Sequence, residues 1–355
     1  MEYREILNDL NEAQNAAVTT DASYALILAG AGSGKTKVLV HRVAWYLQTG
    51  QSLDHGILAV TFTNKAAGEM KGRIQNLMGR SVQNMWIGTF HGIAHRFLKL
   101  HWKEAGLNES FQIIDSDDQL RVIRRIVRDL ELDESGWSAK EIQYRINSWK
   151  EKGLRSKKIP KANDRIEGVL RTVYHEYEKV CERSSSVDFA ELLLRVYELW
   201  STQPRIKEDY RHRFRHILVD EFQDTNRLQY EWLKLLVGGE GNLFVVGDDD
   251  QSIYSWRGAK VENMQLFQKN FTDHEIVRLE QNYRSTSNIL EAANSLITNN
   301  SKRIGKRLWT NGAEGEKIKL YSAYNERDEA RYVVESIKNS FEKGMNLSDH
   351  AVLYR

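Results

Sequence analysis

The chain has 355 residues, 41% apolar and 28% charged, a balance that excludes a disordered or fibrous protein and gives length for two or three domains. Its single cysteine, Cys181, excludes an intrachain disulfide and fits a reducing, cytoplasmic setting, and no apolar run is long enough to span a bilayer. The net charge of +2 is nearly neutral, so any polyanion-binding surface must be local.

Met1 to Asn11 is polar and acidic, which is not the pattern of a signal peptide. The run Tyr24–Ala29 predicts the first strand and Lys35–Leu47 a helix. Between them stands Ala29-Gly30-Ala31-Gly32-Ser33-Gly34-Lys35-Thr36. Strand, glycine-rich loop and helix make a phosphate-binding P-loop, although the strict pattern has Gly where this chain has Ala29. The glycines let backbone N–H groups wrap phosphates, and the helix N-terminus adds positive charge. Lys35 would reach the outer phosphates and the Thr36 hydroxyl would hold Mg²⁺. A glycine-rich turn before an ordinary helix is the plainer alternative. Gly-Lys-Thr at the strand-to-helix junction argues against it.

Strands are next expected at Ile57–Phe62 and Met85–Gly88, with helices Lys65–Met78 and Gly92–Glu104 after them. This alternation predicts an α/β fold with a parallel sheet. From Gly92 to Arg213 the pattern is almost entirely helical. Ser116-Asp117-Asp118-Gln119 predicts a capped helix running to Leu130, and capping explains the Asp115, Asp117, Asp118 cluster better than a metal does. Further helices fit Ala139–Lys150, Arg165–Arg183, Phe189–Trp200 and Arg205–Arg213. Lys150, Lys152, Arg155, Lys157, Lys158 and Lys161 form a dense basic patch, a modest case for polyanion contact. His91 and His95 lie four apart, but they lack the Glu of a His-Glu-x-x-His zinc helix.

The alternation resumes at His216–Asp220, with strands Leu243–Gly247 and Ile276–Glu280 and helices Arg227–Val237 and Val261–Phe271. The helical block therefore reads as an insertion into a doubly wound domain. The strand ending in Asp220-Glu221 supplies what a P-loop enzyme needs: one carboxylate for the metal and one for the attacking water. A last unit, with helices Thr286–Asn299 and Glu326–Lys343 and strands Lys317–Tyr321 and His350–Tyr354, looks like an unfinished domain. Phe62, Tyr254 and Trp256 sit in polar surroundings beside Lys65 and Arg257, which suits stacking on single-stranded bases, although each aromatic could also be core. Asp248-Asp249-Asp250-Gln251 lacks the spaced carboxylates of an EF-hand.

Ordered motifs run along the whole chain: Leu10-Asn11-Glu12-Ala13-Gln14, the P-loop, Thr61 to Ala67, Thr89-Phe90-His91, Val187-Asp188-Phe189, Val219 to Asp224, Gly247 to Gly258, and Gln281-Asn282-Tyr283-Arg284-Ser285. In this order they resemble the N-terminal half of superfamily 1A DNA helicases of the UvrD/Rep/PcrA type. The resemblance implies a P-loop RecA-like doubly wound parallel sheet, with 1–90 and 214–280 as the first ATPase lobe (1A). It implies a helical insertion at 91–213 (1B) and the start of a second RecA-like lobe at 281–355 (2A). It implies an ATP-dependent 3′-to-5′ DNA helicase or translocase of the repair type, using ATP and Mg²⁺ on single-stranded DNA and duplex junctions. Other repair or replication proteins are conceivable partners. A helicase–nuclease motor subunit and a non-catalytic DNA-binding fragment are the alternatives.

The resemblance also implies roles. Lys35, Asp220, Glu221, Gln251 and Arg284 are the expected catalytic set, with Thr36 and Asp220 on the metal, Glu221 as base, Gln251 sensing the γ-phosphate and Arg284 as an arginine finger. Gln14 would read adenine and Tyr283 stack on it, while Gly30, Ala31, Gly32, Ser33, Gly34, Lys35, Thr36 and Lys37 contact the nucleotide. Lys37 replaces the arginine usual in the family. Phe62, Asn64, His91, Phe189, Tyr254, Trp256 and Arg257 are expected on the DNA track. Because the family continues with the rest of its second lobe, the chain alone is not expected to unwind duplexes.

Overall fold

The computed structural model describes residues 5–133, 136–160, 165–254, 258–300 and 303–354. Its centre is a six-stranded parallel sheet in the order β3-β2-β6-β7-β1-β8. The strands are β1 (Tyr24–Ala29), β2 (Ile57–Thr61), β3 (Trp86–Thr89), β6 (His216–Val219), β7 (Asn242–Gly247) and β8 (His274–Leu279). The register sets Leu26 beside Val245 on one side and Ile276 on the other. Alternate residues of each strand face opposite layers, which is why β1 reads as a continuous apolar run. Leu26, Leu28, Val60, Val219 and Val245 enter one core, and Ala25, Ile27, Ala59, Leu218 and Val246 enter the other.

The second of these cores is closed by α1 (Glu12–Thr19), α2 (Lys35–Gln48) and α3 (Asn64–Met78). The first is closed by α4 (Phe90–Leu100), α8 (Phe189–Thr202), α10 (Arg227–Val237) and α11 (Glu262–Asn270). The doubly wound fold expected from the sequence is therefore present. Helix α1, which the strand-and-helix pattern omits, is announced by the capping box of Asn11 and Gln14.

Between β3 and β6 the chain makes α4, α5 (Ser116–Asp129), α6 (Ala139–Glu151), α7 (Arg165–Arg183), α8 and α9 (Pro204–Arg213). A separate core of Ile123, Ile142, Ile146, Val173, Tyr174 and Tyr177 binds α5, α6 and α7 together. Two short strands, β4 (Gln112–Ile113) and β5 (Ser186–Val187), pair in parallel here, an addition to the all-helical expectation. Helix α5 is capped by Asp115, one residue before the predicted start, which accepts from the N–H groups of Asp117 and Asp118 at 2.9 and 2.8 Å.

The basic patch is corrected. Lys150 is 2% exposed and pairs with Asp188 at 2.6 Å and Glu191 at 2.9 Å. Arg155 pairs with Glu191 at 2.8 Å and also with Glu198. Both cations serve an internal network, leaving Lys152, Lys157 and Lys158 on the surface; Lys161 lies outside the described residues.

After β8 come α12 (Ser287–Ile297) and α13 (Glu326–Glu342), but 317–321 and 350–354 form no strand. Ile318, Leu320, Leu353 and Tyr354 are exposed. Without a neighbouring strand to take their backbone groups, neither apolar run becomes a ladder. This corrects the expectation of strands there. What does form is a parallel bridge between Gln281 and Trp309. Among the described residues no helix is long and apolar enough to cross a membrane.

Candidate active site

The C-terminal ends of β1, β2, β6, β7 and β8 open on one edge of the sheet, where ligands sit in open α/β folds. The loop after β1 enters α2 through Gly34, which has φ +90° and provides no side-chain cap. The first-turn N–H groups of α2 are left to face a ligand. Lys35 reaches across to β6, its Nζ 3.1 Å from Glu221 Oε2 and 3.3 Å from Gln251 Oε1. Glu221 adopts a left-handed backbone, φ 49° and ψ 47°, unusual for a residue with a side chain. That turn directs consecutive carboxylates differently: Asp220 is buried and accepts from the Glu221 N–H at 3.0 Å, while Glu221 meets Lys35.

A cavity of about 330 Å³ is lined by the polar residues Thr36, Asp220, Glu221, Asp224 and Gln251 together with Phe62, Ile253 and Tyr254. Burial, followed by the charge of Glu221, raises the Asp220 carboxyl to about 6, with Lys35 opposing. Asp224 is raised to about 6 by the same causes in the same order, and its buried Oδ1 has no hydrogen-bond partner among the described residues. A hydroxyl and buried carboxylates lining one cavity, with the Lys35 ammonium bonded to Glu221 and Gln251 beside it, fit a nucleotide polyphosphate with a hard divalent cation. Thr36, Asp220 and Asp224 offer oxygen atoms of the kind a hard cation takes.

Gln14, buried at 1% exposure, braces the loop: its Nε2 donates to the Ser33 carbonyl at 2.9 Å and its Oε1 accepts from the Asn11 N–H at 3.2 Å. Tyr283 is exposed, and its hydroxyl accepts from Asn11 Nδ2 at 2.7 Å. The segment after β8 presses on the P-loop. Tyr283 N–H donates to the Gly32 carbonyl at 2.9 Å, and Asn282 Nδ2 donates to the Ala31 carbonyl at 2.6 Å. Arg284 is exposed and its Cβ lies against Gly32. Lys37 turns to the Asp9 carbonyl.

The residues expected on the DNA track separate into two aromatic pairs. Phe62 and Tyr254, both part-buried, have ring centroids 5.0 Å apart at the cavity. His91 and the half-exposed Phe189 meet edge-on at 5.9 Å, and burial lowers the His91 pKa. Asp188 caps α8, accepting from the Glu191 N–H at 2.8 Å, which presents Phe189 outward. Asn64 is exposed at the start of α3. Trp256 and Arg257 lie outside the described residues. Sequence reading assigned no role to Gln223, Asp224, Asn282 or Lys306. The first three sit inside quoted motifs, whereas Lys306 carries no local signal.

Comparison with known proteins agrees with this geometry. The family model described as UvrD/REP helicase N-terminal domain matches residues 10–272, and that of the UvrD-like helicase C-terminal domain matches 277–355. The chain is 54% identical over 355 residues to DNA helicase II of Escherichia coli strain K12, covering all of this chain and 49% of that protein. It is 51% identical to DNA helicase II of Haemophilus influenzae, again across all of this chain and 49% of the relative. It is 41% identical to ATP-dependent DNA helicase PcrA of Staphylococcus aureus, over 99% of this chain and 48% of that protein. The chain spans about half the length of the curated relatives it matches. With two family regions matched in order and a P-loop facing paired carboxylates across one sheet edge, the chain belongs to the UvrD/REP helicase family.

Proposed function

We propose that this chain is the ATP-hydrolysing motor portion of a 3′-to-5′ DNA helicase of the repair type, acting in the cytoplasm on single-stranded DNA and duplex junctions. The observation that carries the proposal is the convergence of Lys35, Glu221 and Gln251 from three strand ends, with Nζ–O separations of 3.1 and 3.3 Å. Residues 1–90 with 214–280 form the first lobe in this reading, 91–213 the helical insertion and 281–355 the beginning of the second lobe.

Magnesium, held by Thr36 and Asp220, would neutralise phosphate charge. Lys35 exchanges Glu221 for phosphate oxygens when nucleotide binds, and the freed carboxylate accepts the proton of the attacking water. Gln251 contacts the γ-phosphate, and Arg284 donates to the charge that develops as the terminal phosphoryl group leaves. Gln14 keeps one amide hydrogen for adenine beside its bond to Ser33, and Tyr283 stacks on the base. Lys37 and the Gly30–Gly34 backbone flank the phosphates. Phe62, Asn64, His91, Phe189, Tyr254, Trp256 and Arg257 line the single strand. The Phe62–Tyr254 pair shares its cavity with Glu221, so movement of phosphate and base platforms is coupled through one space.

The test is ATP hydrolysis by the purified chain with and without single-stranded DNA, and strand displacement on a tailed duplex. DNA-stimulated hydrolysis lost in Lys35→Ala is the expected result. Strand displacement is expected to be absent, because 317–321 and 350–354 build no sheet. Hydrolysis indifferent to both DNA and Lys35→Ala would overturn the proposal.

A further inference from the structure

Lys306 lies beyond α12, yet its side chain is 3% exposed and its ammonium pairs with Asp248, with Asp249 at 3.0 Å and with Asp250 at 2.7 Å. Carboxylate oxygens from these three residues gather within 4.8 Å, an arrangement made for a cation, and Lys306 supplies it. Arg303 forks onto Asp250 at 3.0 and 2.6 Å, and the Ile304 N–H donates to Asp249 at 2.7 Å. Burial opposes the charge on Lys306, but the carboxylates, led by Asp248, outweigh it and raise its pKa.

Asp248 is the pivot. One of its oxygens takes Lys306, and the other accepts from the amide Nε2 of Gln251. The opposite end of that amide faces Lys35 at 3.3 Å. The Asp248 N–H donates to Gln223 Oε1 at 2.9 Å, Gln223 Nε2 donates to Glu221 at 2.7 Å, and Glu221 meets Lys35 at 3.1 Å. The ring of Lys35, Gln251, Asp248, Gln223 and Glu221 is thus closed, and Lys306 holds it from a segment distant in sequence.

We infer that Lys306 is a positioning residue: by fixing the Asp248 carboxylate it sets the side-chain rotamer of Gln251, tying the γ-phosphate contact to the segment 303–306. Lys306 does not touch nucleotide. Withdrawal of its segment frees one Asp248 oxygen and lets Gln251 turn away, so the nucleotide contact reports on the seating of the distal segment. The inference rests on the proposed reading of Gln251.

The experiment compares affinities of the 355-residue chain for Mg·ADP and for a non-hydrolysable Mg·ATP analogue, by equilibrium titration. Lys306→Met should weaken the ATP analogue by about tenfold while leaving ADP within roughly twofold, the effect expected from loss of a hydrogen bond to a charged group. Gln251→Ala should do the same, the double variant should be no worse than Gln251→Ala, and Lys306→Arg should recover most of the preference. In the nucleotide-free chain, Lys306→Met should also accelerate amide exchange at 248–251 relative to β7. If Lys306→Met does not fold, Asp248→Asn carries the same expectation. An unchanged ATP-to-ADP preference, equal weakening of both nucleotides or an additive double variant overturns the inference alone. A parental chain with no preference that Gln251→Ala can remove overturns the reading of Gln251, and the inference with it.

Discussion

Lys35 and Glu221 stand 186 residues apart in the chain, and their side chains meet at 3.1 Å. The pair joins the loop after β1 to the end of β6, two strands that are not neighbours: β7 lies between them. In the proposed reading the ammonium supplies charge for the phosphate, and the carboxylate, which lines the cavity beside β6, supplies a base for water.

Removing each partner should therefore give a different defect. Lys35→Ala should weaken nucleotide binding roughly tenfold or more, because phosphate loses its charged donor. Glu221→Gln should leave binding within a few-fold and slow hydrolysis by about 10²–10⁴-fold. Fluorescent-nucleotide titration and phosphate release measure the two separately. Parental turnover in Glu221→Gln would remove Glu221 as the base.

Gly32 and Gly50 both have positive φ, +70° and +72°. A Cβ on Gly32 would stand 2.7 Å from Arg284 Cβ and 2.8 Å from Asn282 Nδ2, whereas one on Gly50 meets open space. Alanine at either site should cost about 1 kcal/mol from the left-handed backbone. Only Gly32→Ala should also push 282–284 off the P-loop and speed tryptic cleavage after Arg284. Equal cleavage in both variants would contradict this contact.

Phe189 is 51% exposed and Trp200, on the same helix, 1%. Phe189→Ala should lower single-strand affinity by about 1–3 kcal/mol with little change in melting temperature. Trp200→Ala should cost about 3–5 kcal/mol of stability. Fluorescence anisotropy with labelled DNA and thermal melts separate the outcomes. Loss of stability with intact DNA affinity in Phe189→Ala would make that ring a packing residue.

The Asp220 carboxyl, raised from 3.8 to about 6 by burial and then by Glu221, sets a pH dependence. Between these values the folded chain keeps a proton that the unfolded chain has lost. Stability conferred by that proton is present at low pH and declines as pH rises through the window, then levels off. Asp220→Asn should make the nucleotide-free chain more stable at neutral pH by up to about 3 kcal/mol, with the gain vanishing by about pH 4. Urea midpoints across pH read the difference. A gain independent of pH would place it in packing rather than charge.

What the sequence alone determined were the features written in neighbouring residues. Gly-Lys-Thr at a strand end, Asp220-Glu221 after an apolar tetrad and the strand–helix alternation each follow from steric and periodic rules that act within a few positions. They carry the fold class, and they make Lys35, Asp220 and Glu221 the residues expected to face a nucleotide. Tertiary structure decided the rest, because charge and apolar pattern do not say which distant group will answer them. Lys150 and Arg155 read as a basic surface until Asp188, Glu191 and Glu198 fold against them. The runs 317–321 and 350–354 read as strands, but a strand exists only where another strand takes its hydrogen bonds. Lys306 carried no signal at all; a lysine becomes part of a site when the chain brings three carboxylates to it, and that depends on the path of the backbone after β8.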